Sequence, residues 1–207
     1  MERHLYTVAQ LRAIEQAACA NLAPGTLMQR AGRAAADYAL ELLGDRRDRP
    51  VLVLAGPGNN GGDALEAAAN LAEAGVDATV LHLPGRRDAS AETAAAYERA
   101  RAGSVGWIDM LPPGAEWGLV IDGLFGIGLE RPVDGDYREV VVGLDSIHCP
   151  ILALDVPSGL DADTGAVIGP DGIAVRATHT ITFLGDKPGL HTADGRDHAG
   201  QVRVDML

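Results

Sequence analysis

The sequence predicts an α/β protein of three α/β/α layers, a mainly parallel β-sheet with helices on both faces. Three observations predict it. Short apolar runs at 51–55, 119–122 and 151–155 read as strands buried on both faces, and 76–83 as a further strand. They alternate with segments of helical periodicity, the rhythm of βαβ units. Three of the runs end in polar, glycine-rich turns.

The elements follow in order. Thr7 with Gln10 forms a capping box that opens a helix carrying Leu11, Ile14, Ala17 and Ala18 on one face. A second helix follows Pro24 and Gly25, with Leu27, Ala31, Ala34, Tyr38 and Leu42 at helical spacing. Residues 45–50 are a charged loop. The first strand leads through a glycine-rich turn into an alanine-rich helix ending near residue 74. A strand at 76–83, a helix at 90–101, a strand at 119–122, a helix at 137–146 and a strand at 151–155 complete the alternation, and β-branched segments at 178–184 and 201–204 add further strands. No internal repeat and no long linker interrupts the chain. One domain over 1–207 is expected, with two N-terminal helices over 8–43 that pack on the sheet or on a second subunit, and the α/β core over 50–207.

Composition narrows the function. With 47% hydrophobic and 22% charged residues over 207 positions, the chain is globular rather than disordered. A net charge of −12 argues against nucleic acid or an anionic membrane as the main partner. Cys19 and Cys149 have no motif spacing, no run reaches transmembrane length, and the opening residues lack an apolar signal core, so a reducing, cytoplasmic setting is expected. Lys187 is the only lysine among 17 Lys and Arg residues.

In an open parallel sheet the carboxyl ends of the strands share one edge, where ligands bind. The three turns on that edge are Gly-Pro-Gly-Asn-Asn-Gly-Gly-Asp at 56–63, Asp-Gly-Leu-Phe-Gly-Ile-Gly-Leu at 122–129, and Asp-Val-Pro-Ser-Gly-Leu-Asp at 155–161. Asp122 and Asp155 each end an apolar strand and should project into one site. A lone strand-terminal Asp is more often a cap or loop ligand; two beside the first turn reverse that prior. Gly56, Gly58 and Gly61 match the dinucleotide fingerprint, and a helix N-terminus there could take a phosphate. The acid expected about 20 residues on is missing: the next strand ends Leu81, His82, Leu83, Pro84, with Arg86 and Arg87 following. No P-loop Gly-Lys-Ser/Thr is present. Adjacent Asn59 and Asn60 either tolerate left-handed backbone or supply carboxamide oxygens to a cation and a substrate. Asn60, Asp122 and Ser158 together offer hard oxygens with one carboxylate, which suits K⁺ better than Mg²⁺ or Ca²⁺. Ser158 lies outside any G-x-S-x-G elbow, leaving Asp155 as the acid/base candidate. Asp63, at a helix start, reads as a cap.

Taken together these turns resemble the NAD(P)H-hydrate epimerase family, the YjeF N-terminal domain. The tail Thr-Ile-Thr-Phe at 180–183 with Lys-Pro-Gly-Leu at 187–190 is similar too, as are Tyr6 to Leu11 and the Leu27, Met28, Ala31, Gly32 segment; the likeness runs from Tyr6 to Val204. The resemblance implies a Rossmann-like fold, commonly a homodimer, that interconverts the R and S epimers of hydrated NADH and NADPH as metabolite repair, beside an ADP- or ATP-dependent dehydratase, separate or fused, that uses only the S form. It implies that Asn59, Asn60, Gly61, Gly62 and Asp63, together with Gly126, Ile127, Gly128, Leu129, Glu130, Arg131 and Pro132, contact the hydrated nucleotide. Asn60, Asp122 and Ser158 would hold K⁺, and Asp155 would bind substrate and transfer the proton. Three departures stand out: Ala64 for a usual Gly, expected to narrow backbone approach; Ile127 for a usual Thr, removing a hydroxyl; and Gln29 for a common Glu. The rival readings are an NAD(P)-dependent oxidoreductase built on the glycine loop and a non-catalytic binding or scaffold module.

Overall fold

The computed structural model describes residues 4–85 and 89–207. Its centre is a sheet of seven parallel strands: β1 (Val51–Ala55), β2 (Ala78–His82), β3 (Gly106–Ile108), β4 (Leu119–Gly123), β5 (Ile151–Leu154), β6 (His179–Phe183) and β7 (Gln201–Asp205). They lie in the order β3-β2-β1-β4-β5-β6-β7, every neighbouring pair parallel. The order reverses between β1 and β4, which opens a crevice at their carboxyl ends.

The helices are α1 (Val8–Cys19), α2 (Thr26–Leu43), α3 (Asn59–Glu73), α4 (Ala91–Ala102), α5 (Gly135–Gly143) and the single turn α6 (Gly195–His198). The capping box of α1 forms as expected: Gln10 N donates to Thr7 Oγ1, and Thr7 N donates back to Gln10 Oε1 at 2.9 Å. Alternate residues of β1 face opposite layers. Val51, Val53 and Ala55 pack with α2, α3 and α4, while Leu52 and Leu54 pack with Val140 and Val141 of α5. Period-two alternation with both faces buried is what makes β1 read as one continuous apolar run. Helix α2 lies against α3 and reaches the sheet, whereas α1 buries only Leu11 and lies over the segment around Gly185.

Three features differ from the sequence-based expectation. β3 was not anticipated: its three residues are only half-buried, too short and too mixed for a periodicity signal. The helix expected over 137–146 starts earlier, at Gly135, and tightens into a 3₁₀ turn over Leu144–Ser146. The short turns Pro188–Leu190 and α6 were also unforeseen. Arg86 and Arg87, which follow β2, lie outside the described residues.

The glycine-rich turn is dictated by close approach. A Cβ on Gly61 would sit 1.9 Å from Gly56 O, so the first turn of α3 can lie against the end of β1 only without a side chain there. Helix propensity would favour alanine by about 1 kcal/mol, but a clash with backbone costs more because backbone cannot rotate away. Gly61→Ala is therefore expected to lower stability by about 2 kcal/mol, read as a lower urea midpoint with an unchanged m-value; an unshifted midpoint would show that the turn yields freely.

Candidate active site

Three strand ends bring their turns together. Asn60, in the first turn of α3, donates from Nδ2 to Leu154 O at the end of β5, 3.2 Å away. A Cβ placed on Gly126 would lie 2.9 Å from Asp155 Oδ2 and 3.3 Å from Asn60 Cγ, so the turns after β1, β4 and β5 touch around one point. The first amides of α3 have no intrahelical acceptor and open toward this edge: Gly62 N is the first bonded back into the helix, to Gly58 O. Gly62 itself backs onto Met28 of α2. Asn59 is exposed and its Oδ1 accepts from Ser90 Oγ, the N-cap of α4, at 3.1 Å. Gly128, Glu130, Arg131 and Pro132 form an exposed rim, with Leu129 half-buried among them.

Asp155 is 14% exposed and stands in left-handed backbone, φ +67°. A non-glycine residue there carries strain that surrounding contacts must hold, a state common at functional sites. The contacts are named. Its backbone N donates to Ile181 O at 2.7 Å, Oδ2 accepts from Ile127 N at 3.3 Å, and Oδ1 pairs with Lys187 Nζ at 2.8 Å. Lys187 is 1% exposed, and its ammonium also donates to Thr182 Oγ1 at 2.5 Å and toward Phe183 O and Gly185 O. The sequence reading left Lys187 without a role; its one signal was its singularity among arginines.

Asp122, near the end of β4, is fully buried. Ser158 N and Oγ donate to its two oxygens at 2.9 and 2.7 Å, and Leu124 N adds a third bond. Burial pushes its carboxyl up to about 6, and those hydrogen bonds pull the other way. Asn60 Oδ1 is buried with no hydrogen-bond partner, an unmet acceptor among the described residues. A buried carboxamide oxygen left without a donor is a group that a cation would satisfy.

Asp63 is not the cap expected of it. It is the fifth residue of α3, the N-cap is Gly58, and its carboxylate accepts no hydrogen bond among the described residues. Burial lifts it well above the usual carboxylate range, and the charges of Asp155, Glu15 and Glu66 push the same way. Glu15 of α1 is raised too, by burial first and then by Asp155. The sequence reading passed over Glu15, although a charge four residues after Leu11 falls on the apolar stripe of α1.

The departures also find their places. Ala64 is fully buried where a Cβ on Gly123 would meet its methyl at 2.4 Å, so it fills a helix–sheet contact and does not narrow the cleft. Ile127 packs against the cluster of Val156, Leu160 and Ala162, and it is its backbone N–H that reaches Asp155. Gln29 is exposed. His82 closes β2 and its ring packs against Tyr97, with centroids 5.1 Å apart and planes tilted by 49°. A separate groove of about 660 Å³ beside β7, lined by Tyr6, Tyr38, Asp186 and Arg203, shares no residue with these turns. Among the described residues no cluster of three His, Cys, Asp or Glu is placed to hold a metal, and no helix is long and apolar enough to cross a membrane.

Residues 24–189 match the family described as YjeF-related protein N-terminus, a match that begins after α1. The chain is 44% identical over 204 residues to an NAD(P)H-hydrate epimerase of Achromobacter xylosoxidans, covering 98% of this chain and 94% of that one. It is 39% identical to a bifunctional NAD(P)H-hydrate repair enzyme of Leishmania infantum, of which it spans 37%. A crystal structure of the yeast protein ynu0 superposes with a TM-score of 0.77 at 21% identity, covering 97% of this chain and 87% of that one, a likeness of fold.

Removing Lys187 would leave the Asp155 carboxylate and three acceptors without their cation. Lys187→Met is expected to cost about 3–5 kcal/mol in urea unfolding; a loss below about 1 kcal/mol, the range of an exposed pair, would show that the pair does not hold the site.

Proposed function

The chain belongs to the family of YjeF-related protein N-termini, and we propose that its cleft epimerises hydrated nicotinamide nucleotides, interconverting (R)- and (S)-NAD(P)HX as metabolite repair. The observation that carries this reading is the contact of Asn60, Gly126 and Asp155 around one point at the carboxyl edge of the sheet, in a chain that aligns almost end to end with a protein named NAD(P)H-hydrate epimerase.

The chemistry asks for little more. C6 of the hydrated nicotinamide is a hemiaminal carbon, so inversion requires the hydroxyl to leave and return, or the ring to open and close. Both routes need proton transfer and stabilised charge. Asp155, fixed by Lys187 and by Ile127 N, is the group we assign to bind substrate and exchange the proton. The free amides of α3 and the residues 59–63 and 126–132 are assigned to the nucleotide. A hydride-transfer role fits less well, because the place of the ribose-binding acid at the end of β2 is taken by His82, packed on Tyr97.

K⁺ fits Asn60, Asp122 and Ser158. The unmet Asn60 oxygen and the buried, otherwise uncompensated Asp122 charge support it. When bound, the ion would neutralise that charge and anchor the turns after β1, β4 and β5. A homodimer, and an ADP- or ATP-dependent dehydratase acting on the S form, complete the proposal; the word bifunctional in the Leishmania relative's name favours such a partner.

The defining assay supplies the protein with mixed R and S hydrates and an S-specific dehydratase. Complete consumption is expected, against a stall near half without epimerisation. Asp155→Ala is expected to lower turnover about 10²-fold or more, and a variant at wild-type rate would remove Asp155 from the reaction. Replacing choline by K⁺ in the buffer is expected to raise Tm by several degrees, as any ligand of the folded state does, and Asn60→Ala is expected to remove the increment. Equal Tm in both buffers would count against the ion.

A further inference from the structure

Helix α4 buries little of its own surface: only Thr93, Ala96 and Ala100. Polar contacts to α3 fasten it at both ends. Near its C-terminus the Arg99 guanidinium bonds the Glu66 carboxylate, Asn70 Oδ1 at 3.2 Å and Glu73 Oε1 at 2.7 Å. At its N-terminus the contacts reach the first turn of α3. Thr93 Oγ1 donates weakly to Gly58 O, 3.5 Å away, and a Cβ on Gly62 would lie 3.0 Å from that hydroxyl. Ser90 Oγ accepts from Thr93 N at 3.1 Å, which caps α4, and lies 3.1 Å from Asn59 Oδ1 and 3.0 Å from Thr93 Oγ1.

The Ser90 hydroxyl has one proton, and a carboxamide oxygen has none to give. Its approach to Asn59 Oδ1 is attractive only when that proton points at Asn59, while Thr93 keeps its own proton for Gly58 O. With the oxygen so engaged, the two Nδ2 hydrogens are the part of Asn59 left to meet a ligand. Asn59 is exposed, and Nδ2 donates to no acceptor among the described residues. It is the first residue of α3, where the backbone amides also lack intrahelical acceptors. Donors therefore collect at this corner, which suits a group that only accepts.

Resting on the epimerase reading, we propose that Ser90 of α4 is a positioning residue for substrate binding. By donating to Asn59 Oδ1 it fixes the carboxamide with its N–H groups available to an acceptor oxygen of the hydrated nucleotide. Asn59 is among the residues assigned to the nucleotide; Ser90 is not. An exposed carboxamide without this bond populates both of its flipped orientations, and one of them sets oxygen against oxygen. Ser90 removes that orientation before substrate arrives, so part of the ordering cost of binding is already met. The contact is made to a part of the substrate remote from C6, so it is equally strong in the ground and transition states and shows in KM rather than kcat.

The test is a double-mutant cycle at Asn59 and Ser90, read as kcat and KM in the coupled dehydratase assay with mixed NADH hydrates, with Tm recorded for each variant. Glycine is a good N-cap, so S90G removes the donor and should leave Tm nearly unchanged. It should raise KM about fivefold with kcat within about twofold of wild type. S90T retains both the cap and the donor and should restore the wild-type KM. N59A should raise KM at least as much as S90G. Adding S90G to N59A should then change KM less than about 1.5-fold, because Ser90 acts through Asn59; a purely structural role would add its full factor. S90G at the wild-type KM, a loss confined to kcat, an S90T that stays at the KM of S90G, or a full S90G increment on top of N59A each overturns the proposal and leaves the epimerase reading standing. A wild-type protein that stalls near half consumption overturns the epimerase reading, and this one with it.

Discussion

The ion pair between Lys187 and Asp155 is the contact on which the site depends. It joins the turn after β5 to the turn after β6, and it brings the single lysine of the chain into a position 1% exposed. Taking both charges out of water costs several kcal/mol, and their attraction recovers that only with good geometry and satisfied neighbours. Here the ammonium has four oxygen contacts, from Asp155, Thr182, Phe183 and Gly185. The pair is better understood as a device for orientation than for net stability. It holds a carboxylate on a left-handed backbone, where an unsupported residue would relax.

Around that pair the fold sorts carboxylates by environment. Asp122 is buried and takes hydrogen bonds from Ser158 and Leu124, on the strand next to β1, whose turn carries the unmet Asn60 oxygen. Asp155 is paired with a cation. Asp63 is pushed upward by burial and then by Asp155, Glu15 and Glu66, and Glu15 by burial and then by Asp155. These acids thus occupy three different electrostatic settings, set by how dry each one is and by the charge it meets.

The parallel sheet makes this arrangement possible. Because every strand runs the same way, the turns after β1, β4, β5 and β6 leave from one edge, and the reversal between β1 and β4 leaves space between them. Close helix–sheet packing then draws the turns inward: Gly61 allows α3 to start against the end of β1, and Ala64 packs the same helix beside Gly123.

Much of this was legible in the sequence because it is local. The apolar runs at β1, β4 and β5, the capping box of α1 and the glycine-rich turn after β1 are properties of neighbouring residues, and the placement of Asn60, Asp122 and Asp155 on one edge follows from strand ends in a parallel sheet. β3 was not legible, since three half-buried residues carry no period. Asp63 was misread as a cap, because its distance from the helix start depends on where the helix begins, and α3 begins at Asn59. The pairing of Lys187 with Asp155, separated by 32 residues, was decided only by tertiary structure. Periodicity tells which way a side chain faces along its own element; which charge it meets there, and how dry the meeting place is, depends on elements that are distant in the chain.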